Sequence, residues 1–133
     1  MKISAYGLSD LGQVRQSNQD SILVDNNSYL YVVADGIGGT IGGDIASSLC
    51  IESMKQVIAS ESESRSLQTL INAFQSSQKN ILDRVDREPH LAGMGTTATA
   101  LMITKKQLFI AHIGDSRAYL ISKNQIWQLT EDH

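Results

Sequence analysis

The hydrophobic pattern predicts an α+β fold in which two helices pack on a mostly antiparallel sheet. Three observations lead there: short apolar runs broken by turn clusters open the chain, two helical periodicities follow, and short β-branched runs close it. With 133 residues, one domain is expected, long enough to bury roughly two-thirds of the surface its unfolded form exposes.

The elements can be taken in order. Ile22–Val24 and Tyr29–Ala34 are apolar runs separated by Asp25-Asn26-Asn27-Ser28, whose side chains bond nearby amides and tolerate left-handed backbone, so a hairpin is expected. Its second strand is apolar on both faces and is expected inside a sheet. From Asp44 to Ser60, Ile45, Ala46, Leu49, Cys50, Met54, Val57 and Ile58 recur at helical spacing. A second helix is read from Leu67, Leu70, Ile71, Phe74, Ile81, Leu82 and Val85, with Ser66 as N-cap and Pro89 as stop. Between the helices, Ser60-Glu61-Ser62-Glu63-Ser64 reads as a polar surface linker. Thr96–Thr104, Leu108–Ile113, Ala118–Ile121 and Ile126–Leu129 read as strands, with Gly114-Asp115 at a tight hairpin turn and Lys123-Asn124 at the next reversal.

Composition excludes several function classes. A net charge of −3 with no Lys/Arg block argues against nucleic-acid binding by phosphate neutralisation. The single cysteine, Cys50, rules out an intrachain disulfide, argues against a cysteine zinc site and falls in a helix stripe, where a buried thiol is expected. No apolar run reaches the ~18–20 residues that cross a bilayer, and Met1–Gly7 lacks a secretory core. A soluble cytoplasmic protein with no membrane contact is the expectation.

The chemistry concentrates around Ala34–Asp44, which holds five of the ten glycines and joins a buried strand to a helix. Such a loop can approach a ligand closely. A dinucleotide fingerprint begun at Gly36 fails at Ile41, and a P-loop from Gly38 fails at Asp44, whose charge repels phosphate. What remains is Asp35 at the strand's end, with Asp20 starting the neighbouring strand. Carboxylates there, with a carbonyl such as that of Gly36, suit a hard divalent cation. Each residue also has a plainer reading. Asp35 could cap a turn, Arg15 could be a solvated surface cation, Asp115 could sit at a hairpin corner, and His112 could be structural.

Taken jointly, six segments in order resemble the metal-dependent protein phosphatase family, the type 2C serine/threonine phosphatases in their bacterial form. They are Gly12-Gln13-Val14-Arg15 with Asn18-Gln19-Asp20; Val33-Ala34-Asp35-Gly36-Ile37-Gly38-Gly39; and Gly43-Asp44-Ile45-Ala46-Ser47. Gly93-Met94-Gly95-Thr96-Thr97, Gly114-Asp115-Ser116-Arg117-Ala118-Tyr119-Leu120 and Leu129-Thr130-Glu131-Asp132-His133 complete the series. The resemblance implies two stacked antiparallel sheets flanked by helices, an α-β-β-α sandwich with a binuclear Mn²⁺ or Mg²⁺ centre at one end. It implies Asp20 as ligand of one metal, Asp35 as bridge, the Gly36 carbonyl on the other metal, Asp115 at a weaker additional metal, and Arg15 on the substrate phosphate. The implied reaction is hydrolysis of phosphoserine or phosphothreonine by a metal-bridging hydroxide. A phosphoprotein substrate and a cognate serine/threonine kinase would be the partners.

The resemblance also has departures. Ile37 stands where some members carry a His assigned as general acid and bacterial members commonly carry Met. Thr40 replaces a bacterial His, and Gln19 replaces a frequent Glu. Residues 1–133 match the N-terminal part of one catalytic domain, roughly its first half, whose later part supplies two further aspartates and more strands. The alternative expectation is therefore a catalytically incomplete phosphatase-like fragment that binds a partner or forms a homo-oligomer through exposed sheet edges.

Overall fold

The computed structural model describes residues 2–39, 41–61 and 63–133. In chain order the elements are β1 (Asp20–Asp25), β2 (Leu30–Ile37), α1 (Gly43–Ser60), α2 (Leu67–Arg87), a single 3-10 turn at Pro89–Leu91, β3 (Gly95–Thr96), β4 (Ala98–Ile103), β5 (Leu108–Ile113), β6 (Tyr119–Ser122) and β7 (Gln125–Gln128). The first sheet runs β1-β2-β4-β5, with β3 extending the partnership to β2, and every neighbour is antiparallel. β6 and β7 form a separate hairpin.

Alternation along the strands divides the first sheet into two unlike faces. Leu30 and Val32 on β2, with Ala98, Ala100 and Met102 on β4, point inward and are buried against Cys50, Met54 and Ile58 of α1 and Leu70 and Ala73 of α2. The other face carries Ile22, Val24, Tyr31, Val33, Leu101 and Ile110, which line a cavity of about 570 Å³ beneath the N-terminal segment and the base of the β6–β7 hairpin. Val33 lies on an interior strand yet keeps 42% of its surface exposed, because only those thin elements cover this face. Of the expected sandwich, one helix layer and one sheet are present among the described residues. The second sheet is represented by β6–β7, whose residues are all exposed, and the only α-helices among the described residues lie on the inner side.

Several expectations need adjustment. β2 takes in Asp35 as expected but runs on to Ile37, so Gly36 and Ile37 belong to the strand rather than to the loop after it. Gly114-Asp115 is not a hairpin turn: β5 pairs with β4 and β6 with β7, so these residues carry the chain from one sheet to the other. The crossover is fastened by the final segment, since Leu129 N donates to Ala118 O at 2.8 Å and His133 N to Gly114 O at 2.9 Å. Arg117 forks onto Asp132, Nε to Oδ1 at 2.9 Å and Nη2 to Oδ2 at 2.6 Å. Lys123 and Asn124 do reverse the chain, both with positive φ as a two-residue turn requires.

The buried stripe of α2 also differs in part from the expected one. Leu70, Phe74, Ile81 and Val85 pack on the core as expected, but Leu67, Ile71 and Leu82 are exposed, and Thr69, Ala73 and Ser77 are buried in addition. The helices meet over small side chains, and Ser77 Oγ donates to Cys50 O at 3.1 Å. Ser66 caps α2 as expected, its amide bonding Thr69 Oγ1 at 3.1 Å. No described helix is long and apolar enough to cross a membrane.

The first turn has a measurable consequence. Burial opposes ionisation of Asp25, but the amides of Ser28 and Asn27 and the charge of Lys55 outweigh it and hold the carboxyl below its ordinary range. A lowered folded pKa contributes stability above the unfolded value, lost as pH falls through the folded one. Urea unfolding of the parent is expected to lose that increment below about pH 4, while Asp25→Ala costs about 1 kcal/mol at pH 7 and shows a flatter acid limb.

Candidate metal centre

Backbone pairing sets the centre of the site. Gly36 N donates to Gln19 O at 3.1 Å, which makes residues 19 and 36 a hydrogen-bonded pair. The next pair, Asp20 with Asp35, is therefore of the other kind, in which facing side chains stand closest. Both carboxylates open into a cavity of about 210 Å³, lined also by Leu8, Ser9 and Ser116.

Local structure holds this pair from several sides. Asn18 Oδ1 accepts the Asp20 amide at 3.0 Å while its Nδ2 donates to Ser9 Oγ at 2.7 Å, so one amide side chain starts β1 and tethers the loop that bears Arg15. Asp35 N donates to Thr97 Oγ1 at 2.9 Å, and Asp35 O accepts from Thr97 N at 2.9 Å. The start of α1 lies hard against β2. A Cβ on Gly36 would strike the Gly43 carbonyl, so only glycine permits this approach at residue 36, and one on Gly43 would displace Gln19 Oε1 from its place. Ser47 Oγ donates to Gln19 O at 2.7 Å, and Gln19 Nε2 to Gly39 O at 3.0 Å, tying both ends of the glycine-rich segment to the residue before Asp20.

Electrostatics follow from this packing. Burial, then hydrogen bonding and repulsion from Asp20, raise the Asp35 carboxyl above its ordinary range. Arg15 pulls the other way, and Asp115 adds a further push upward. Arg15 and Asp115 are thus close enough for their charges to be felt, although among the described residues neither makes an ion pair or hydrogen bond with the two aspartates. Gly36 is buried beside Asp35 and offers only its main chain. Thr40 lies outside the described residues.

The remaining chemical groups lie elsewhere. His112 is a structural residue, its Nδ1 paired with Thr99 Oγ1 at 2.8 Å and its Nε2 with Glu131 O at 3.1 Å. Cys50 is buried, and burial pushes its thiol up, away from a reactive thiolate. Asn18, Thr97, Ser116 and Ser47 act on the site through hydroxyls and amides, residue types too common in any sequence to stand out. Only their place inside the recurring segments hints at them.

Two opposed, mutually unfavourable carboxylates fit a hard divalent cation, which would neutralise the repulsion that now raises Asp35. Among the described residues no three His, Cys, Asp or Glu side chains converge closely enough to hold an ion. Among the described residues the pair alone does not complete a metal site.

Comparison with known proteins places this geometry in context. Residues 5–133 match the sequence profile of the family described as protein phosphatase 2C. The serine/threonine protein phosphatase PstP of Mycobacterium tuberculosis is 38% identical over 124 residues, 93% of this chain and 24% of PstP. The serine/threonine phosphatase stp of Listeria welshimeri is 36% identical over 132 residues, 94% of this chain and 52% of that protein. A crystal structure of the PstP catalytic domain in complex with two manganese ions superposes with a TM-score of 0.86 at 38% identity, over 94% of this chain and 54% of that one. A structure of a bacterial serine phosphatase gives a TM-score of 0.84 at 31% identity, over 95% of this chain and 53% of that one. The chain spans a quarter to about half the length of these relatives.

The opposed carboxylates make a prediction for the metal-free protein. A raised folded pKa contributes stability that is present below the unfolded value and lost as pH rises through the folded one, so stability should decline as pH rises from about 4 upward. Asp20→Asn removes a directly opposed like charge and is expected to stabilise the metal-free chain by ~0.2–1 kcal/mol at pH 7. Chemical unfolding of both proteins across that range reads the gain and the flattened slope.

Proposed function

Because this chain belongs to the protein phosphatase 2C family, we propose that residues 1–133 form the N-terminal part of one catalytic domain that removes phosphate from phosphoserine and phosphothreonine in proteins. One observation carries the reading: Asp20 and Asp35 face each other at one end of the first sheet, with Arg15 and Asp115 within electrostatic reach. A cognate serine/threonine kinase would supply the phosphoprotein, and a cytoplasmic setting agrees with the unpaired, buried Cys50.

In this reading Asp20, Asp35 and the Gly36 carbonyl hold Mn²⁺ or Mg²⁺, with Asp115 serving a weaker additional ion. The manganese-bound relative supports that choice of metal. When bound, such ions supply Lewis-acid charge for the phosphoryl oxygens and render water more acidic at neutral pH. The chain's own residues provide the frame. Arg15 offers a planar guanidinium fork that matches a phosphate edge and draws the dianion towards the aspartates. Asp35 is held by its backbone, which leaves its carboxylate facing Asp20 and available for ligation. Ile37 and Ile41 are more than half exposed beside the glycine-rich segment and give an apolar contact for the substrate peptide. Ile37 carries no proton for the leaving group.

A second reading is favoured by the apolar cavity of about 570 Å³ and the exposed β6–β7 hairpin, which carries Leu120, Ile121, Ile126 and Trp127 on its surface. On that reading the chain is a catalytically incomplete phosphatase-like fragment that covers these surfaces by pairing with another copy.

Phosphothreonine-peptide hydrolysis separates the two. The phosphatase reading expects phosphate release that requires Mn²⁺, falls about 100-fold or more in Asp35→Asn, and shows a KM raised about tenfold or more in Arg15→Ala. Turnover that persists in chelator or in Asp35→Asn contradicts it. No turnover, with no heat of Mn²⁺ binding and concentration-dependent sedimentation as a dimer, favours the fragment reading. A monomer at every concentration counts against self-pairing.

A further inference from the structure

Ladder pairing between β2 and the β3–β4 run is interrupted at Thr97, and the interruption is made by side chains. Asp35 N–H donates to Thr97 Oγ1 at 2.9 Å rather than to the Thr97 carbonyl, which instead accepts from Thr96 Oγ1 at 2.8 Å. The same Thr97 hydroxyl bonds Ser116 Oγ at 2.8 Å. A hydroxyl has one proton and two lone pairs, so Thr97 Oγ1 can receive the Asp35 amide and still share a bond with Ser116.

The methyl of Thr97 is engaged as closely as its hydroxyl. Gly114, at φ +105°, lies so near that a Cβ there would come 2.6 Å from Thr97 Cγ2. Gly114 and Ser116 flank Asp115 on the crossover between the sheets. One buried side chain therefore touches Asp35 through its hydroxyl and both neighbours of Asp115, one through the hydroxyl and one through the methyl.

We infer that Thr97 and Ser116 are positioning residues, a hydroxyl relay that locks Asp35 and the Asp115 crossover into a single rigid unit before any metal binds. Asp35 has no other side-chain tether to the crossover, and ligands must be held within about 0.5 Å of their working positions. Without the relay, the Asp35 amide loses its partner and the crossover slides on Thr97. The role of this unit in binding a cation rests on the metal-site reading above; the linkage itself does not.

Three variants test it: Thr97→Val, which keeps the shape and removes the hydroxyl; Thr97→Ser, which keeps the hydroxyl; and Ser116→Ala. In the metal-free chain, amide hydrogen exchange at Asp35 is expected to quicken at least about tenfold in Thr97→Val, to stay near the parent rate in Thr97→Ser, and to quicken in Ser116→Ala, which does not touch that amide. Mn²⁺ affinity by calorimetry is expected to fall about tenfold in Thr97→Val. Ser116→Ala should lower it less, and should add nothing in the Thr97→Val background, because it acts through the same hydroxyl. An Asp35 exchange rate indifferent to Ser116→Ala, or Ser116 and Thr97 effects on Mn²⁺ that simply multiply, overturns the relay. If the parent chain takes up no Mn²⁺, the metal-site reading fails, while the exchange rates still decide whether the relay exists.

Discussion

Two like charges are held face to face by a hydrogen bond that neither of them makes. The Gly36 amide on the Gln19 carbonyl makes residues 19 and 36 the narrow pair of the hairpin, and Asp20 and Asp35 then have no choice but to stand opposite each other. Slipping β1 by one residue would send Asp20 to the helix side, among Leu30, Val32 and Ala34, where an unpaired carboxylate is far costlier. The apolar inner face thus enforces a pairing that electrostatics alone would reject. Burial and the facing Asp20 leave Asp35 a weaker acid than usual, the trace of that conflict in the metal-free chain.

The glycine-rich segment serves the same constraint. Its glycines do not form a phosphate cradle; Gly36 and Gly43 let the first turn of α1 lie directly on β2, so that Ser47 can reach the Gln19 carbonyl that defines the pairing. Gln19 is informative because many relatives by resemblance carry Glu there. Here its amide donates to the Gly39 carbonyl, a bond that a carboxylate cannot make. The position acts as a clamp on the segment.

Much of this was legible in the amino-acid order. The hairpin, both helices and the final reversal follow from apolar spacing and from turn residues such as Asp25 and Asn124, because local chemistry decides them. The proximity of Asp20 and Asp35 was equally readable, since a four-residue turn leaves little freedom in how the strands pair. What could not be read depends on distant contacts. Gly114-Asp115 looks like a hairpin corner, and only the partners of β5 and β6 reveal that it joins two sheets. Part of the α2 stripe differs because Ser77 and Ala73 are buried for their smallness while Ile71 and Leu82 are left outside, a choice made by the close packing of α1. Thr97 and Ser116 carry no chemical signature, and their importance lies in what they touch.

The claim on which the account turns is that one cation would be shared by side chains from two neighbouring strands. Paramagnetic broadening reads this directly: the chain is labelled with ¹³C at aspartate side-chain carboxyls and titrated with substoichiometric Mn²⁺. The account predicts that the Asp20 and Asp35 signals vanish together and first, with the nearby Asp115 following and Asp83 and Asp86 of α2 the last to broaden. Loss of one of the pair without the other, or uniform broadening of all exposed aspartates, would contradict it.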